Sequence, residues 1–154
     1  ELSRTVLAYG RAPDGGLLGA LGASPEAALD AAVVEAINWA VCAPNSDCAR
    51  ATLRRLEALR VAPDRGFRRR AVANPYDAAE WVFINLRIAA ALRRAGEHAE
   101  AAKLLAAMTT LAQHCDGMLP ELCSAETGLA AGESPMLGYG AGCYVIALLE
   151  RSRG

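Results

Sequence analysis

The stretch "LRIAAALRRAGEHAEAAKLLAAM", Leu86 to Met108, decides how the rest of the chain is read. Ala and Leu dominate both sides of Gly96, and β-branched and aromatic residues are scarce, which favours helix over strand. Before the glycine, Trp81, Ile84, Ile88 and Leu92 share one side of a helix, and Val82, Leu86 and Ala89 share another. Two apolar faces predict a helix packed on both sides. After it, Ala101, Leu104, Leu105, Met108, Leu111, Ala112 and Cys115 fall into a single stripe, predicting a helix over about 97–114. Gly96 ends the first helix, and "GEHAE" reads as the tight turn of an antiparallel helical hairpin.

Outward from this hairpin the same grammar repeats. Residues 2–9 read as the end of a helix, followed by a Gly- and Pro-punctuated loop. Ser24, Pro25 and Glu26 read as N-cap, proline at the first helical position and first-turn acid, predicting a helix to about Val41. "CAPNSD" breaks it, and Asp47 is expected to cap a helix to about Arg60. A long irregular connection leads to Asn74, expected to cap a helix from Pro75 to Arg94, and a last helix is predicted from about Tyr139 to Arg151. Short links gather at one end and long polar loops at the other. A tetratricopeptide array is the competing architecture, but Trp39 and Trp81 stand 42 positions apart and no second copy of the hairpin motif follows. The expected fold class is all-α, a partial α/α toroid built of about three helical hairpins, with residues 1–154 as one helical domain.

Composition narrows the function. Of 154 residues, 53% are apolar and 5% aromatic, and the formal net charge is −1. No large basic surface is implied, so nucleic acid is not an expected partner. No uncharged apolar run is long enough to span a membrane. The five cysteines, Cys42, Cys48, Cys115, Cys123 and Cys143, have no short regular spacing, which argues against a disulfide scaffold and for a reducing, cytoplasmic setting. Cys42 and Cys48 are close enough in sequence to pair under oxidising conditions. His98 and His114 fall in no zinc-binding spacing, and neither a metal nor a cofactor is expected. The first residue is Glu1 rather than Met, so the chain is expected to be a fragment or a processed product.

The long loops hold the chemistry. The 61–75 connection offers Asp64, Arg65, Arg68, Arg69 and Arg70, followed by Tyr76 and Trp81; the 114–137 loop offers Glu121, Glu126 and Glu133. If both open on one face, arginines, aromatics and a carboxylate converge, which is the inventory of a sugar site. Taken singly, an arginine run is a solvated face, a helical Trp is core, and Glu121 after Pro120 is an ordinary loop acid.

The order of these residues adds to that reading. "RGFRRRAVANPYDAAEW", "CDGMLPELCSAETG" and "SPMLGYGAGCYVIALLE" resemble the C-terminal part of glucoamylase-like enzymes of glycoside hydrolase family 15, over roughly residues 25–152. That family has an Arg before a Tyr, an aromatic-led helix, a "G-x-L-P-E-Q-x-D-x-x-T-G" loop and a "P-L-x-W-S-H/Y-A" opening of the last helix. The resemblance implies an (α/α)6 barrel with this chain as its C-terminal half, and inverting attack on α-linked glucosides such as starch, isomaltose-type dextrins or trehalose. Glu121 matches the family's catalytic base. Arg69, or its neighbour Arg68, matches the arginine that holds sugar hydroxyls, with Tyr76, Trp81 and Tyr139 as further substrate-binding positions. The departures are Leu122 for Gln, Gly138 for Trp, the "AVAN" stretch for an acid, and Glu80 where Pro is common. The family's general acid lies on an earlier helix, and nothing before Glu26 matches it. The chain is therefore expected to carry the base without the acid, to need the N-terminal half of the same enzyme as partner, and to be inactive alone. A non-catalytic helical interaction module is the alternative; it predicts a self-sufficient fold with Glu121 fully exposed.

Overall fold

The computed structural model describes residues 1–24, 27–72, 74–134 and 138–152. The hairpin around Gly96 is its centre: α5 (Val82–Arg94) and α6 (His98–His114) pack antiparallel. The turn works because Gly96 sits at φ +89, a left-handed conformation that costs glycine little, while Glu97 N–H returns to the Leu92 carbonyl at 2.9 Å. As expected of a helix with two apolar faces, α5 divides two cores. Trp81, Ile84, Ile88 and Leu92 join one with Leu53, Leu56, Leu59 and Phe67. Val82 and Leu86 join the other with Leu105, Met108 and Leu111, whereas Ala89, expected beside them, falls in the first core. Full burial of each such aliphatic side chain contributes about 1.5–3 kcal/mol.

The remaining helices flank this pair. These are α1 (Leu2–Tyr9), α2 (Glu35–Asn38), α3 (Asp47–Leu56), α4 (Pro75–Ala78) and α7 (Gly138–Ser152). Arg87 of α5 grips Glu35 of α2 through two hydrogen bonds of 2.6 Å. Arg94 reaches the Asn38 carbonyl and pairs with Glu150 of α7 at 2.6 Å, so α5 is tied on both flanks. The fold is thus mostly helical. It also holds a small three-stranded antiparallel sheet that an all-α reading did not anticipate: β1 (Glu80–Trp81), β2 (Leu122–Cys123) and β3 (Ala130–Ala131), in that order.

Three predicted helices differ from the observed ones. The helix expected from Pro25 to Val41 is shorter: a 3₁₀ turn at Ala31–Val34 followed by α2. Pro25 and Glu26 lie outside the described residues; Ser24 does accept from Ala27 N–H at 3.2 Å. The break comes at Asp30, whose extended backbone and side chain, accepting from Ala32 N–H, restart the helix there. The cap of α3 is Ser46 rather than Asp47, which takes the first helical turn. The helix expected from Pro75 to Arg94 does begin behind the capping Asn74, but it stops at Ala78. Strand pairing wins over helix propensity here: Trp81 N–H bonds the Phe67 carbonyl at 2.9 Å and Val82 N–H bonds Glu121 O at 3.2 Å.

Among the described residues all five cysteines are free thiols, and no helix is long and apolar enough to cross a membrane. Burial, then the neighbouring Cys48, pushes the Cys42 thiol up to about 11.

One face of α7 is left open. Only Gly140 and Ala147 of this helix are buried, while Val145, Ile146, Leu148 and Leu149 are exposed. A contiguous apolar patch of this kind drives association. Substituting both Val145 and Leu149 by Lys should leave the helical circular dichroism unchanged and reduce self-association of the 154-residue chain, measured by light scattering. An unchanged aggregate size would show that this face takes no part in it.

Candidate active site

The sheet is short, but it brings the two long loops together. Glu80 pairs with Cys123 and Trp81 with Leu122, so the segment after the 61–75 loop lies against the segment that carries Glu121. Glu80 is 3% exposed, and it is satisfied in full. Arg65 donates to it from Nε at 2.8 Å and from Nη2 at 2.5 Å, Gly66 N–H at 3.1 Å, and Asn85 Nδ2 at 2.9 Å. Asn85 Oδ1 in turn accepts from Phe67 N–H at 2.7 Å. Gly66 has to be a glycine, since a Cβ there would stand 2.1 Å from the Asn85 amide. This buried network, anchored on the first turns of α5, fixes the loop's path.

Glu121 is held by its backbone on both sides. Its N–H donates to Ser134 O at 3.2 Å and its carbonyl accepts from Val82 N–H. The chain reaches it through a turn in which Asp116 and Gly117 take positive φ, followed by the buried Leu119 and Pro120. Its half-buried carboxylate accepts from Tyr76 Oη at 2.5 Å and, more weakly, from Tyr139 Oη at 3.5 Å, both on Oε1. Tyr76 also packs edge-on against Trp81 at 4.8 Å, and Tyr139 against Phe83 at 5.0 Å. The Arg69 guanidinium lies 5.8 Å over the Trp81 ring and 3.6 Å from Asp30. A cavity of about 370 Å³ opens among Ala32, Arg69, Trp81, Phe83, Ile84 and Tyr139.

Arg69, Tyr76, Trp81, Glu121 and Tyr139 are thus brought together, although up to 70 positions separate them in sequence. Arg68 is not: its N–H and bridge partner tie it to Leu59 and Glu80, and it does not line the cavity. Of the two arginines left open by the sequence, Arg69 is the one that lines the cavity. Trp81 departs from expectation in its element. It belongs to β1 rather than a helix, and at 7% exposed it is mostly core, so the exposed aromatic surface here is that of Tyr76 and Tyr139. Arg65 and Arg70 are committed to Glu80 and Asp77, and Glu126 and Glu133 stand exposed on their loop outside the cavity. Asp30 and Phe83 were not singled out from the sequence. Asp30 carried a signal as an acid ahead of an apolar run; Phe83 carried none beyond being aromatic. Among the described residues no three of His, Cys, Asp and Glu stand together as metal ligands do.

A carboxylate beside two phenol hydroxyls can accept and pass protons. A carboxylate that accepts from a phenol keeps that phenol protonated. Accordingly the hydrogen bond to Glu121 pushes Tyr76 up to about 12, and burial and then the Glu121 charge raise Tyr139. The protonated form of Tyr76 is therefore favoured in the folded state. Its contribution to stability is whole below about pH 10 and is lost as pH rises towards about 12. Phenolate absorbance should show one tyrosine titrating near 12, assigned by its loss in Tyr76→Phe and its downward shift in Glu121→Gln. A Tyr76 midpoint at 10 in the native protein would mean that the hydrogen bond is not made.

Solved structures share this architecture. A wild-type glycosidase superposes with a TM-score of 0.80 at 23% identity, covering 97% of this chain and 42% of its own. The chain has a glycosidase fold. A Phe-to-Tyr variant of a glycosidase matches with a TM-score of 0.81 at 24% identity, over 98% of this chain and 42% of that one. A Glu-to-Ala glycosidase variant in complex with glucose matches with a TM-score of 0.80 at 22% identity, over 97% and 42%. The chain thus spans less than half the length of the glycosidases it matches. No protein-family model matches the chain, and no curated protein does.

Proposed function

We propose that these 154 residues are the C-terminal half of an inverting glycoside hydrolase of the glucoamylase-like, six-hairpin kind, acting on α-linked glucosides. The observation that carries this is the Glu121 carboxylate held by the Tyr76 and Tyr139 hydroxyls, with Tyr139 and Arg69 lining the adjoining cavity. Glu121 is the general base that activates a water for attack on the anomeric carbon. Arg69 and the two tyrosines supply donors for sugar hydroxyls, and Trp81 backs them. Inversion requires a second carboxyl about 6.5–9.5 Å away as general acid. That group comes from the N-terminal half of the enzyme, for which the open apolar face of α7 is a fitting contact. Five unpaired thiols fit a reducing compartment such as the cytoplasm. The half-buried, hydrogen-bonded state of Glu121 supports this reading over a non-catalytic interaction module, which called for a fully exposed acid.

The test is hydrolysis of maltose, isomaltose and trehalose by the chain joined to its N-terminal half, with the released glucose followed by proton NMR. From maltose and isomaltose β-glucose appearing first is the expected outcome, and from trehalose equal α- and β-glucose, since its leaving glucose keeps the α configuration. α-Glucose first would overturn the inverting mechanism, and no release from any of the three would overturn the substrate class.

A further inference from the structure

The cavity at Arg69 is not the largest in the molecule. One of about 530 Å³, within the size range of small-molecule sites, lies on the far side of the sheet from Trp81. Successive strand residues alternate faces. Trp81 lines the first cavity, whereas Glu80 and its register partner Cys123 face the second. The floor is apolar, formed by Met108, Leu111 and Cys123, all buried. The mouth is polar, with Asp64, Thr110 and His114 exposed around it.

Two features make this more than a surface dip. The Arg65 guanidinium is held rigidly: Nε and Nη2 are taken by Glu80, and Nη2 also donates to the Ser124 carbonyl at 2.8 Å. Its Nη1 has no partner among the described residues and stands beside Gly128. A Cβ at position 128 would lie 3.0 Å from Nη1, so the glycine leaves that donor uncovered at the cavity wall. Second, the free hydrogen-bonding groups are mixed in kind: a guanidinium donor, a carboxylate acceptor at Asp64, a hydroxyl at Thr110 and an imidazole at His114.

We infer that this cavity is a second carbohydrate-binding site, taking a neutral mono- or disaccharide. Glu80 already neutralises Arg65, and Asp64 disfavours an anion, so a charged ligand gains nothing there. A sugar matches both halves of the site. Its C–H face lies on Met108 and Leu111, and its hydroxyls, each donor and acceptor, meet the mixed polar rim. Among the described residues no Phe, Tyr or Trp ring lines this cavity, so binding is weaker than at a platform of such rings. The site shares no side chain with the Arg69 cavity and does not depend on Glu121 being a base.

The test is a backbone-amide NMR titration of the full chain with maltose, and separately with glucose. The expected result is saturable shifts at Thr110, His114 and residues 127–129. These should weaken about tenfold in the double variant Asp64→Ala, Thr110→Val, through loss of two hydrogen bonds, and persist in Arg69→Ala. Both altered residues are exposed, and an unchanged circular dichroism spectrum checks the fold. Shifts confined to the Arg69 and Tyr139 side, shifts indifferent to the double variant, or no saturable shift with either sugar each overturn the proposal. Shifts at the second cavity in a protein that hydrolyses nothing would sustain it while the hydrolase reading fails.

Discussion

With Glu121 as the proposed base, Glu121→Gln in the chain joined to its N-terminal half should lower kcat for hydrolysis by about 10²–10⁴-fold, with KM little changed. The amide keeps the shape of the carboxylate and still accepts from Tyr76, so binding geometry survives. What it loses is the ability to take a proton from water in the transition state, and that loss appears in kcat. Thermal stability should hardly move, because the side chain is only half-buried and no buried partner is left unpaired. Glu126→Gln is the matched control. That residue is exposed on the same loop outside the cavity and should retain full activity. Equal activity in native and Glu121→Gln enzyme would remove the base assignment, and a comparable loss in Glu126→Gln would move it elsewhere on the loop.

The largest loss of stability is expected at Glu80. Replacing it by Leu leaves the Arg65 guanidinium, the Gly66 N–H and the Asn85 amide without their acceptor in the interior. Breaking a buried pair by removing one partner costs about 3–5 kcal/mol. Arg65 keeps 22% of its side chain exposed and still reaches Ser124 O, so the lower end, about 3 kcal/mol, applies. For a chain of this size that is a drop in Tm of about 6–12 °C. Glu80→Gln keeps one carbonyl acceptor and should lose less. Calorimetry that finds Glu80→Leu as stable as the native protein would show that the network contributes no net stability. Activity should fall in Glu80→Leu as well, since the pairing of β1 with β2 holds the Glu121 turn in place.

The α5–α6 hairpin was legible from sequence because everything that makes it is local. Helix periodicity, the left-handed glycine at position 96 and the two-sided apolar pattern of α5 act within a few residues of one another. The loop around Pro120 and Glu121 was legible from its polar, Gly-punctuated composition after a helical stripe; the role of Glu121 rests on a resemblance. The limits of the helices near the site were not legible. Ala78 to Trp81 has the composition of a helix, yet the backbone of Trp81 is claimed by Phe67 and that of Val82 by Glu121. Such contacts gain their free energy only once distant segments have met, so no local pattern announces them. Glu80 shows the same limit: its sequence neighbours suggest a solvated acid, and Arg65, Gly66 and Asn85 make it a buried hub.

What the amino-acid sequence determined by itself was the helical class, the central hairpin and the small set of residues from which a site could be built. Tertiary structure decided which of them meet. It set Arg69 rather than Arg68 at the cavity, buried most of Trp81 at its wall, and carried the Tyr76 hydroxyl to a carboxylate 45 positions away. The physical reason lies in the range of the forces. Propensity and capping act over a turn of helix, whereas the geometry of a site follows from packing and hydrogen bonds that close only in the folded chain.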